Sequence, residues 1–284
     1  MFGKLLSRWH GQASVELREA GSVLGVDVGS SSRRASSAAC RLDWDRKEIR
    51  WTLQRFRALP EEQRRVLRAV AGMERLEAAA FDGPLREGLD IIGRYRIAER
   101  MLTRRLQPQI GKPGQSSAPV GKALNAAAND CARVVLEHCN VAPARHAVRI
   151  DGKAIAEAFP SAFMGTMLED PGSLLARRGD RSDVFFQNLA QIGTFQRLLG
   201  HLLPGRAVAN SFEAVTNHDD RAALVCAFTA LAVAVGDFVA VGDTDGWIIL
   251  PPRSFLQAWA LADLKANAAE EGDSHLHFSK GLPA

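Results

Sequence analysis

The sequence predicts an α/β chain whose mixed central sheet has the strand order 3-2-1-4-5, with flanking helices and a helical insertion after the fourth strand. Three observations predict it. Residues 22–28, 35–42 and 48–56 read as three short strands separated by turn residues, an antiparallel meander. A charged stretch over 60–74 reads as a helix, because Pro60 suits a first turn and Glu61 and Glu62 favour its positive end. An apolar strand over 76–81 then runs into Asp82-Gly83-Pro84, where the glycine and proline force a turn.

The remaining elements follow in chain order. Residues 1–20 show no clear period and read as an irregular or short helical lead-in, and the domain proper is expected over 21–269. Residues 85–145 interrupt the pattern and read as the insertion. It holds a basic helix over 93–106, a loop rich in Gly, Pro, Ser and Lys over 107–121, and a second helix over 121–138. A fifth strand is expected over 154–159, an amphipathic helix over 182–203, an apolar helix over 217–235, a late strand over 246–250 and a closing helix over 255–269. The tail over 270–284 is expected to be loose. Three strands, a helix and a parallel fourth strand reached by a right-handed crossover form the order of the ribonuclease H-like fold. Ligands of such sheets bind outside the carboxyl ends of the parallel strands.

Composition narrows the function classes. Hydrophobic residues make up 46% and charged residues 24%, enough to bury a full core and unlike a disordered chain. The longest apolar run, over 222–240, is broken by Gly236 and Asp237 and reads as a buried helix rather than a membrane span. The first ten residues are too short and polar for a secretory signal, so a cytoplasmic location is expected and no membrane partner. Cys40, Cys131, Cys139 and Cys226 have neither C-x-x-C nor zinc-like spacing and read as reduced thiols. A formal net charge of +4 permits a nucleic-acid partner without demanding one.

Asp27, Asp82, Glu157, Asp219 and Asp220 are the candidate catalytic residues. Phosphodiester hydrolysis by two metals needs several carboxylates converging on hard, oxygen-seeking cations, so Mg²⁺ or Mn²⁺ is the expected cofactor. Asp27 and Asp82 would end adjacent parallel strands and Glu157 a third. Neighbouring residues of a helix point about 100° apart, so one of Asp219 and Asp220 would face the metals. Asp219 is preferred, because Ala223, Cys226 and Ala230 continue its face with small side chains. The expected metal ligands are therefore Asp27, Asp82, Glu157 and Asp219. Each acid also has a plainer reading: a turn for Asp27 and Asp82, an edge position for Glu157, a helix cap for the Asp219–Asp220 pair.

Five blocks together resemble a known family. Val26-Asp27-Val28-Gly29, Phe81-Asp82-Gly83-Pro84, the Glu157–Ser161 segment, the stretch from His218 to Ala230 and the segment from Asp245 to Pro251 are similar, in order, to domain-of-unknown-function family 429. The resemblance runs from about residue 22 to 252. It implies a ribonuclease H-like fold and a predicted nuclease acting on DNA or RNA. The chain departs from the family in the last-helix motif, where a further acid is common and this chain has Ala222 or Ala223.

Arg33 and Arg34 after the first strand, with Arg100, Arg104, Arg105 and Lys112 of the insertion, are the candidate phosphate contacts, and Arg94 and Arg96 lie on the same stretch; the plainer reading is an ordinary solvated helix whose charge Glu99 partly offsets. His218, beside the acid pair, is a candidate for proton transfer or metal binding, with an incidental histidine at a helix start as its plainer reading. Asp243-Thr244-Asp245-Gly246 lacks the rest of a calcium loop and reads as a polar turn. Two alternatives stay open: a nucleotide-phosphate site, since Asp27-Val28-Gly29-Ser30 also resembles the phosphate loop of sugar kinases and actin-like ATPases, and a binding domain without catalysis.

Overall fold

A computed structural model describes residues 18–111, 115–144, 152–174 and 180–279. The first three strands, β1 (Gly21–Asp27), β2 (Ser37–Trp44) and β3 (Glu48–Phe56), form the expected meander. Helix α1 (Pro60–Ala71) carries Glu61 and Glu62 in its first turn and stops at Gly72, whose φ is 71°. Strand β4 (Leu76–Asp82) lies parallel to β1. Both strands read as continuous apolar runs because they are covered on both faces.

The insertion contains α2 (Ile97–Thr103), α3 (Gln107–Ile110) and α4 (Pro119–His138). The basic helix expected over 93–106 is thus only seven residues long. Residues 93–96 are not helical, and Arg96 takes an extended conformation as the cap. Strand β5 (Ile155–Ala158) is parallel to β4. Short helices α5 (Pro160–Gly165) and α6 (Pro171–Leu174) follow. The single helix expected over 182–203 is two, α7 (Arg181–Gln191) and α8 (Thr194–Leu202), because Gly193 adopts a left-handed φ of 72°.

A two-residue strand, β6 (Ala207–Val208), precedes α9 (His218–Val235). The apolar run over 222–240 is not one helix. Gly236, with φ 76°, caps α9, and the chain turns into β7 (Val239–Asp243). The turn Asp243–Gly246 joins it to β8 (Gly246–Leu250). Helix α10 (Ala258–Glu271) runs past the expected end of the domain at 269. The tail is not loose where described: β9 (Leu276–Phe278) pairs antiparallel with β7, and the Ser279 amide donates to the Phe238 carbonyl. Of the lead-in, residues 1–17 fall outside the described part, whereas the Arg18 carbonyl accepts a bond from the Trp44 indole.

These strands form one mixed sheet in the order β6-β3-β2-β1-β4-β5-β8-β7-β9, flanked by helices. Helix α9 lies across β1, β2 and β4 and is itself covered by α5, α7 and α8, so nearly its whole circumference is apolar. Helices α1 and α4 contact each other and β2, β3 and β4 on the other face. Among the described residues no helix is long and apolar enough to cross a membrane.

One glycine sets how closely α9 approaches. A Cβ on Gly25 would collide with the Ala227 amide nitrogen and the Ala223 carbonyl. Gly25→Ala should therefore push α9 off the sheet and destabilise the fold by about 3 kcal/mol, the upper end of overpacking costs. Urea unfolding would measure this, and an unchanged midpoint would contradict the close-approach argument.

Candidate active site

Asp27 and Asp82 are register partners at the carboxyl ends of β1 and β4. Residues directly opposite on neighbouring strands point to the same face. Both carboxylates therefore project to the side that Gly25 opens for α9. Helix α9 runs antiparallel to β1 and brings its N-terminus to the same edge. The Asn217 side chain accepts the amides of Asp219 (2.9 Å) and Asp220 (3.3 Å), which fixes where the helix begins. About two turns further on, burial and then Asp82 and Asp27 push the Cys226 thiol up, which places this face of α9 against the ends of β4 and β1.

The electrostatics show that the acids share one space. Asp27 is partly buried, and its carboxyl is pushed well above the ordinary range by burial, then by Asp82, Asp219 and Asp220 in that order. Asp82 is pushed up to about 7 by burial and by Glu157, with His218 acting the other way. Asp219 acts on Asp27 more strongly than Asp220, which turns towards Arg55 on β3 at 3.8 Å. Neither Asp27 nor Asp82 has an ion-pair partner among the described residues. Two uncompensated acids of this kind suit a hard divalent cation in donor type. No group of three acidic, histidine or cysteine side chains placed to hold a metal occurs among the described residues. Magnesium often takes one or two carboxylates and fills its other positions with water and substrate oxygens, so the pair still fits.

Glu157 is near enough to act on Asp82 but does not project into this space. Its register partner on β4 is Phe81, not Asp82, so it projects to the opposite face. There the Arg96 guanidinium grips both of its oxygens at 2.7 and 2.8 Å, and the Leu85 amide donates at 2.9 Å. Arg96 also bonds Glu99, and Glu99 in turn accepts from the Ser116 amide and hydroxyl. All three charged side chains are buried. The expectation that Glu157 ligates the metals is corrected on this ground: its lone pairs already serve an internal ion network that anchors the insertion.

The insertion arginines are likewise engaged. Arg100 meets Glu271 at 3.1 Å, Arg104 pairs with Glu270 and Glu271, and Arg105 pairs with Glu270 and bonds Asn267 at 2.6 Å. They clamp the insertion to α10 rather than present a free basic surface. Lys112 lies outside the described residues. Arg33 and Arg34 are exposed on the β1–β2 loop, which leaves the end of β1 that carries Asp27.

Two features escaped the sequence reading. Asp183 on α7 holds His218 Nδ1 at 3.3 Å and Arg221 at 3.0 Å, which docks α7 against the start of α9. No local pattern links residues so distant in the chain. Arg55 shares a row with Asp27 through Ala38, a placement that strand alternation gives once the register is known.

Comparison with known proteins finds no matching family model, no matching curated protein and no matching solved structure.

Proposed function

We propose that this chain is a metal-dependent nuclease with a ribonuclease H-like core, hydrolysing phosphodiester bonds in DNA or RNA with Mg²⁺ or Mn²⁺. The observation that carries the reading is the register pairing of Asp27 with Asp82 at the ends of adjacent parallel strands, with Asp219 at the helix start acting on the same space. The run β3-β2-β1-β4-β5 inside the sheet and the resemblance to domain-of-unknown-function family 429 support the same fold family. Asp27 and Asp82 would hold the ion, with Asp219 reaching it through water. An ion held there would supply an activated water and charge stabilisation for the departing oxygen. The residues' own part is to offer partly buried negative charge, where attraction for a cation is stronger than in bulk water. Asp220, drawn to Arg55, has a lesser share, and Glu157 serves the network behind the site.

The test is a panel of single-stranded, duplex and RNA substrates with Mg²⁺ or Mn²⁺, with and without chelator. Cleavage that chelation stops and Asp27→Asn abolishes is the expected result. No cleavage on any substrate, together with ATP hydrolysis lost in Asp27→Asn, would replace the nuclease with a nucleotide-phosphate site. Silence in both assays would leave a binding domain without catalysis.

A further inference from the structure

The basic side chains around the acids are distributed unevenly. On the β5–β8 side each described arginine near the site is already matched. Arg86 and Arg94 both reach Asp245, and Arg96 is buried against Glu157. Arg100, Arg104 and Arg105 are spent on α10.

The β2–β3 side differs. Arg33 and Arg34 are exposed, and among the described residues no carboxylate lies within ion-pair range of either guanidinium. Their loop is a built structure. The Gly29 amide donates to Ser37 Oγ at 2.9 Å, and the amides of Arg33 and Arg34 donate to Ser31 Oγ at 3.3 and 3.2 Å. The Ala58 amide donates to the Ser31 carbonyl at 2.9 Å, which fixes the loop against the end of β3. Arg55 belongs to that same end. The register Asp27–Ala38–Arg55 places it two strands from Asp27 on the same face, about 10 Å away. It is 47% exposed, and its single ion pair, with Asp220, is long at 3.8 Å.

From this asymmetry we infer that Arg33, Arg34 and Arg55 form the surface that holds the sugar-phosphate backbone of a nucleic-acid strand, which leaves the acids across the β1–β2 loop and the end of β3 rather than along the insertion. The inference rests on the nuclease reading and gives it a direction. The guanidinium groups of Arg33 and Arg34 can neutralise phosphates without giving up an existing partner and Arg55 gives up only its long pair with Asp220, whereas the insertion arginines must first break closer ion pairs. Few aromatic side chains accompany them, so the contact is to phosphate and not to stacked bases.

The experiment compares two triple variants: Arg33→Gln, Arg34→Gln and Arg55→Gln in one, and Arg100→Gln, Arg104→Gln and Arg105→Gln in the other. Binding of fluorescein-labelled oligonucleotides of roughly 20 nucleotides is measured by anisotropy over about 50 to 200 mM salt. Circular dichroism checks folding, and if the insertion triple fails to fold, Arg100→Gln alone takes its place. The loop triple is expected to weaken binding at least tenfold and to reduce the slope of log K against log salt by about 2. The insertion variant should keep the wild-type slope. Equal slopes in the loop triple and wild type overturn the inference, as does a loss confined to the insertion variant, while cleavage by the wild type would leave the nuclease reading intact. A wild type that binds no oligonucleotide overturns the inference outright. Binding with the expected slopes but no cleavage would keep the surface and reject the nuclease.

Discussion

Asp82→Asn is expected to abolish metal-dependent cleavage and, in the absence of metal, to make the protein more stable. Burial and the neighbouring Glu157 push the Asp82 carboxyl up to about 7. A folded-state pKa raised above that of the unfolded chain means that ionisation opposes folding. Below about pH 4 the carboxyl is protonated in both states and costs nothing. As pH rises towards 7 the unfolded chain releases its proton first, so stability falls across that window and is flat above it. Asparagine keeps the shape and removes the charge. The gain near pH 8 should be on the order of 2 kcal/mol after allowing for solvent at the partly buried carboxyl, or roughly 5 °C in Tm. The difference should shrink to nothing near pH 4. Thermal melts in chelator from pH 4 to 8 would show it. Mn²⁺ should raise the Tm of the wild type and leave Asp82→Asn unmoved, since only a species that binds the folded state stabilises it. A variant that melts no higher than wild type at any pH would remove the argument that two uncompensated acids await a cation.

The second large effect is structural. Arg96→Met should destabilise the protein by about 3 to 5 kcal/mol, because it strands Glu157 and Glu99 without a counter-charge in the interior. Arg96 joins the insertion to β5, and Glu157 also holds the Leu85 amide just beyond Asp82. The loss should therefore appear both as a lower urea midpoint and as faster proteolysis of the insertion. Adding Glu157→Gln to Arg96→Met should recover part of the stability, since one buried charge disappears with it. If the double variant were no more stable than the single one, the network would not be the source of the loss. Glu157→Gln with Arg96 intact should leave Mn²⁺ binding at the acid pair in place, the outcome that separates Glu157 from the ligand set.

Much of this protein is legible in its sequence. Alternation and turn residues place β1 to β4 within a few residues, because those segments carry their own period and their own stops. Asp27 and Asp82 stand out because each closes an apolar strand and precedes a glycine within two residues. The capping pattern at Asn217 marks the start of α9 for a similarly local reason.

What the tertiary structure decided depends on register and on partners far apart in the chain. Glu157 looked like a third strand-end acid, but its pairing with Phe81 turns it to the other face, and a one-residue register difference is invisible in a single strand. The insertion arginines looked like a phosphate surface until Glu270 and Glu271 came to meet them from more than 160 residues away. The edge strand β9 is three residues long and too weakly patterned to declare itself without β7 beside it. Local sequence sets where elements begin and end. Which side chains remain free for chemistry is set by the charges that folding brings opposite them.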